Sequence, residues 1–134
     1  MRAQGTFKVQ FASHPPYDDS DGVTIARATV SKEFSGDLDA QSTVEMLSAR
    51  TQVKGSAAYV GIEKVRGTLC GHRGSFVLSH HGTMRAGEQS LTLQVVPDSG
   101  AGELLGLRGT MQIDIKDGVH HYTMDFALAD SVAS

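Results

Sequence analysis

The stretch Leu107-Arg108-Gly109-Thr110-Met111-Gln112-Ile113-Asp114-Ile115-Lys116-Asp117-Gly118-Val119-His120-His121-Tyr122-Thr123-Met124-Asp125-Phe126 decides the fold. Polar and apolar residues alternate on both sides of Asp117-Gly118, a dipeptide that favours a two-residue β-hairpin turn. A turn there pairs Lys116 with Val119. Successive strand residues point to opposite faces, so the turn assigns every side chain. Leu107, Gly109, Met111, Ile113, Tyr122, Met124 and Phe126 share one face. Arg108, Thr110, Gln112, Asp114, His121, Thr123 and Asp125 share the other. The first set is therefore the core face, with His120 on the same side beside the turn, at the rim.

The same period of two runs through the rest of the chain, and no stretch sustains a helical period. Strands are expected at Gly5 to Ser13, Val23 to Phe34, Leu38 to Ala49, Gly55 to Leu69, Arg73 to Met84, Glu88 to Val96, Leu107 to Lys116 and Val119 to Leu128. Turns or loops separate them at His14 to Gly22, Ser35 to Asp37, Thr51 to Lys54, Gly71-His72, Ala86-Gly87, Asp98 to Gly109 and Asp117-Gly118. Eight or so strands in meander order bury one face most simply by closing into a barrel. The expectation is an all-β, single-domain antiparallel barrel over residues 1–134.

A turn at Gly71-His72 pairs Cys70 with Arg73 and sets Gly67 across from Phe76, Val65 across from Leu78 and Glu63 across from His80. The Ala86-Gly87 turn carries this face onto Leu91, Leu93 and Val95, and Tyr59 and Gly61 share it. Between Val23 and Ala49, the register richest in inward apolar residues directs Val30, Ala28, Phe34, Val44 and Met46 inward. Arg27 and Glu45 then pair on the outside and Lys32 points inward. A slip of one residue sends Arg27 and Glu45 inward instead. An inward Lys32 either pairs with Glu63 or extends its ammonium to water, and the second is expected.

Composition narrows the function classes. A net charge of -3 with scattered Lys and Arg gives no footprint for nucleic acid or anionic membranes. The single cysteine, Cys70, rules out an intrachain disulfide and fits a cytoplasmic location. It has no base assigned beside it. No apolar run suits a signal peptide or a membrane span. His80-His81 and His120-His121 are neighbours pointing opposite ways, so neither pair chelates one ion, and no metal or cofactor is expected. No phosphate-binding loop or nucleophile elbow is present.

Candidate chemistry thus rests on the interior. A carboxylate placed inside must be paired or protonated. Glu63 beside His80 forms a candidate acid–base pair, and Tyr59 and Tyr122 are candidate orienting hydroxyls. Phe76, Leu78 and Leu93 supply apolar walls, with Lys32 a further polar anchor. The same pair is equally consistent with a satisfied internal contact that fixes strand register.

Gly100-Ala101-Gly102-Glu103-Leu104-Leu105-Gly106-Leu107-Arg108-Gly109 resembles the Gly-rich segment of the allene oxide cyclase and dirigent barrels. Together with Gly5-Thr6-Phe7, Lys32-Glu33-Phe34-Ser35-Gly36, Val60-Gly61-Ile62-Glu63 and Gly74-Ser75-Phe76-Val77-Leu78, it makes the whole chain similar to an uncharacterised bacterial barrel family. The remoter resemblance implies isomerisation, cyclisation or coupling of an apolar small molecule, with Glu63 as the internal acid, and association into dimers or trimers through the outer wall. Val60 and Ile62, on the outer face, are compatible with such an interface. Three functions remain open: an isomerase or cyclase, a non-catalytic binding or carrier barrel, and an oligomeric structural protein with a filled core.

Overall fold

A computed structural model describes residues 1–128. It contains ten strands: β1 (Arg2–Ser13), β2 (Asp18–Ser20), β3 (Val23–Gly36), β4 (Leu38–Arg50), β5 (Ala57–Leu69), β6 (His72–Arg85), β7 (Glu88–Val95), β8 (Ala101–Gly102), β9 (Arg108–Lys116) and β10 (Val119–Ala127). Every pairing is antiparallel, and β1 bonds to both β10 and β3, which closes an eight-stranded barrel. The short β2 and β8 lie off this ring, against β3 and β6. No helix among the described residues is long and apolar enough to cross a membrane.

The Asp117-Gly118 and Ala86-Gly87 turns fall where the alternation places them, giving Lys116 opposite Val119 and Arg85 opposite Glu88. Residues Val23 to Ala49 adopt the register with Val30 opposite Val44 and Ala28 opposite Met46. Arg27 and Glu45 accordingly meet on the outside at 4.0 Å, both about half exposed.

One hairpin differs. The turn between β5 and β6 is Cys70-Gly71, not Gly71-His72, so Leu69 faces His72, Val65 faces Phe76 and Gly67 faces Gly74. Both turn residues take positive φ, 48° and 87°, as a type I′ turn requires. The Cys70 amide is held there by the Asp37 carbonyl at 2.7 Å. The correction moves the register by two residues. Each side chain keeps its face, but Glu63 now lies opposite Leu78 and His80 opposite Gly61.

The two ends of the barrel are built differently. At one end lie the Gly36-Asp37 and Cys70-Gly71 turns, and the segment between β7 and β9 folds across it. That segment is anchored by Glu103, whose amide bonds the Arg73 carbonyl while its carboxylate accepts from the Arg73 amide. Ala3, Leu38, Leu69, Leu104, Leu107, Met124 and Phe126 fill this end, each nearly or fully buried. At the opposite end lie residues 14–22 and 51–56 and the 86–87 and 117–118 turns. There the inward side chains run out of neighbours. Phe11, Leu91 and Ile115 continue the core faces of β1, β7 and β9, yet are 65%, 43% and 62% exposed.

Candidate functional site

A chain of polar side chains climbs from the filled half toward the open end. Its lower members are Lys32 on β3, Ser42 on β4 and Glu63 on β5; its upper members are His80 on β6 and Tyr59 on β5. Parity puts all five inside. Lys32 pairs with Ser42 across β3 and β4, and Ser42 with Val65 across β4 and β5, so Glu63 is one diagonal step from Ser42. Diagonal neighbours across a sheet lie within reach of long side chains. Glu63 therefore also meets His80 although the two are not directly opposed.

Lys32 Nζ donates to Glu63 Oε1 at 3.3 Å, His80 Nε2 donates to the same oxygen at 2.6 Å, and Ser42 Oγ donates to Oε2 at 2.5 Å. The Lys32 ammonium also sits 4.8 Å from the centre of the Phe7 ring and 5.8 Å from that of Phe34. The expectation that Lys32 reaches water is thus corrected: its side chain is 7% exposed and ends on Glu63. The reason is energetic. Glu63 is fully buried and needs a counter-charge, and the ammonium finds that carboxylate and two ring faces inside the barrel.

The Tyr59 hydroxyl lies 3.1 Å from His80 Nδ1. Its ring lies across Gly82 on β6, where a side chain would collide with it, and Leu91 borders the same glycine. The absence of a side chain at Gly82 is what brings the hydroxyl to the imidazole.

Burial pushes the Glu63 carboxyl up, but the His80 hydrogen bond, the Lys32 charge and the Ser42 hydrogen bond outweigh it. The net effect holds Glu63 below the ordinary glutamate value. An ionised carboxylate only accepts, so His80 Nε2 carries the hydrogen; Lys32 already balances the Glu63 charge and a second buried cation has no counter-charge, so Nδ1 is left bare as an acceptor for Tyr59. Burial, aided by the Glu63 charge, pushes the Tyr59 phenol up to about 12, so it stays protonated. Hydrogen bonds therefore all point one way, from Tyr59 through His80 to Glu63.

The other candidate residues separate into two groups. Phe76, Leu78 and Leu93 are buried in the apolar core and touch no open space, being 1%, 0% and 2% exposed. Tyr122 is inward but committed elsewhere. Its hydroxyl accepts from the Leu38 amide at 2.8 Å and faces the Ser35 and Leu38 carbonyls at 3.0 and 3.2 Å, which ties β10 to the β3–β4 turn. His120 is half-buried, with its ring 5.0 Å from that of Phe7. Ser42 was not singled out by sequence reasoning; the available signal was its inward parity between Ala40 and Val44. Cys70 is exposed in its turn, and burial together with Asp37 pushes its thiol up, which makes it a poor nucleophile. Among the described residues no three His, Cys, Asp or Glu side chains converge as metal ligands.

A depression of about 1170 Å³ lies along the wall of β1, β3, β4 and β5, lined among others by Lys8, Glu33, Gln41, Lys64 and Arg66. These are outward residues of mixed charge with no common focus; Lys32 and Ser42 also border the depression, whereas Glu63 and His80 do not.

A family model described as "Protein of unknown function (DUF3224)" matches residues 3–126. The chain belongs to the DUF3224 family. It is similar to a solved structure titled as a protein with unknown function from the DUF3224 family of Shewanella oneidensis MR-1, at 49% identity and a TM-score of 0.91. That match covers 96% of this chain and 97% of the other. No curated protein matches.

Proposed function

We propose that this DUF3224 barrel binds a small, largely apolar molecule in its open end. The observation that carries this reading is the exposure of side chains whose strand positions point them inward: Phe11, Leu91 and Ile115 are exposed, and Val9, Met46, Tyr59 and Ile113 are half-buried. Inward apolar groups left in water at one end, above a core that is packed at the other, favour an occupant. Small barrels of about eight strands are able to hold one small ligand. Tyr59 lies four residues from Glu63 along β5, about 13 Å of strand toward the open end.

Non-catalytic binding is better supported than acid–base isomerisation. Glu63 is fully buried behind three donors and held ionised, so it neither touches an occupant nor has a proton to give. Tyr59, the member nearest the opening, is a weak acid. The isomerase reading is favoured only by the unbroken Tyr59–His80–Glu63 chain, a possible proton path. A distant kinship in fold with the allene oxide cyclase barrels rests on the closed barrel and the Gly100 to Gly109 segment. Self-association is supported by outward Leu47, Val60 and Ile62, neighbours on β4 and β5 that are 43%, 49% and 56% exposed.

Titrating methyl-labelled protein with butylbenzene tests the binding reading. Methyl resonances of Met46, Leu91, Ile113 and Ile115 are expected to shift, and those of Leu69 and Leu107 to stay. Equal shifts at both ends, or none anywhere up to the solubility of the probe, would overturn it.

A further inference from the structure

We infer that the occupant of the open end presents a hydroxyl hydrogen to the Tyr59 oxygen and is an uncharged alcohol or phenol. This rests on the binding reading above and specifies the chemistry of its ligand.

The argument follows hydrogen-bond direction outward from Glu63. The carboxylate accepts from Lys32, Ser42 and His80 Nε2. A neutral imidazole that donates from Nε2 has only a lone pair at Nδ1. The Tyr59 hydroxyl, 3.1 Å away, must spend its one hydrogen there. What remains on the Tyr59 oxygen is acceptor capacity, and Tyr59 is the half-buried member of the chain, next to exposed Leu91. The member of the chain nearest the opening therefore accepts and does not donate. A ketone, ether or ester offers it nothing, whereas a hydroxyl offers a hydrogen.

Charge favours a neutral molecule. Lys32 and Glu63 cancel one another inside the barrel. The inward wall above them is largely apolar, through Val9, Phe11, Met46, Ile113 and Ile115. None of these five side chains carries a charge to offset the desolvation of a charged occupant.

Four probes of matched size separate the possibilities: 4-butylphenol, 4-butylanisole, butylbenzene and 4-butylbenzoate, each titrated against the full chain at neutral pH. The phenol is expected to bind about five- to tenfold more tightly than the anisole, the yield of one net hydrogen bond. Methylation makes the anisole the more apolar compound, so hydrophobic partition alone predicts the opposite order. The benzoate is expected to bind more weakly than the phenol. Tyr59→Phe is expected to bring the phenol-to-anisole ratio to one or below. The inference is overturned if the anisole matches the phenol in the native protein, if the ratio survives Tyr59→Phe, or if the benzoate binds most tightly. Butylbenzene distinguishes the two readings: if it binds and the phenol has no advantage, only the hydroxyl assignment fails, and if no probe binds, the binding reading itself fails.

Discussion

Lys32→Met removes the ammonium from the buried cluster while keeping an unbranched apolar stem of similar length. Deleting one partner of a buried ion pair destabilises by about 3–5 kcal/mol, because the remaining charge is left uncompensated. Here Glu63 keeps the Ser42 and His80 hydrogen bonds at 2.5 and 2.6 Å, which places the loss at the lower end, about 3 kcal/mol. The ammonium also leaves the Phe7 and Phe34 rings. A thioether against the same rings recovers an interaction of about 0.5–1 kcal/mol, so that exchange nearly cancels. For a domain of this size a 3 kcal/mol loss lowers the melting temperature by about 10 °C. The chain has no Trp, so urea unfolding is followed by far-ultraviolet circular dichroism. The pH dependence provides a second reading. Glu63 sits below its ordinary value in the folded protein, so its contribution is present above the unfolded glutamate value, about 4.3, and is lost as pH falls through the lower folded value. Without Lys32, burial regains weight, the folded carboxyl moves up, and the variant loses stability on the acid side at a higher pH than the native protein. A loss below about 1 kcal/mol with an unchanged acid limb would refute the reasoning, since that is the behaviour of a lysine whose charge is in water.

Tyr122→Phe leaves the buried Leu38 amide without its acceptor and is expected to destabilise by about 1–3 kcal/mol, measured by the same unfolding assay, with butylbenzene binding unchanged. Nitrogen-15 spectra of His80 at neutral pH are expected to show hydrogen on Nε2 and a bare Nδ1; the reverse tautomer would break the directed chain. Leu91→Asp, at a 43% exposed inward position, is expected to change stability by less than about 0.5 kcal/mol while abolishing butylbenzene binding; retained binding would place the ligand elsewhere. Sedimentation of the native chain is expected to give a dimer or larger species, and that of Val60→Asp a monomer, at unchanged melting temperature for the dissociated fold.

The residues that face inward were legible because the strand period is two, and an error of two residues leaves parity intact. Glu63 and His80 were therefore correctly placed inside even though the turn between their strands lies at Cys70-Gly71. The turn itself was not legible. Either dipeptide contains Gly71, and choosing between them depends on Cys70 accepting positive φ against the Asp37 carbonyl, a contact from another hairpin. The fate of Lys32 depends on three strands: its partner is 31 positions away and adjacency arises only from the registers of β3, β4 and β5. Tyr122 read as inward, but its backbone partners come from the β3–β4 turn, which meets β10 only after the barrel closes.

The position of the polar chain bears on what it is for. A buried ion pair is a weak stabiliser, and apolar replacements of equal volume are often as stable or more so. Register is already fixed by long strands with cleanly divided faces, so the barrel does not need five inward polar groups to hold it in line. A purely structural network would also be expected to close on itself within the packed half. This one begins there, with every buried side-chain polar atom of the described residues partnered, and ends at Tyr59 beside Leu91 where packing gives way to solvent. Lys32 and Ser42 hold Glu63 ionised, Glu63 sets the tautomer of His80, and His80 fixes which way the Tyr59 hydroxyl points. The deep residues thus determine the hydrogen-bonding character of Tyr59, the member of the chain nearest the open end, and that arrangement suits a site that selects its occupant more than a core that only fills space.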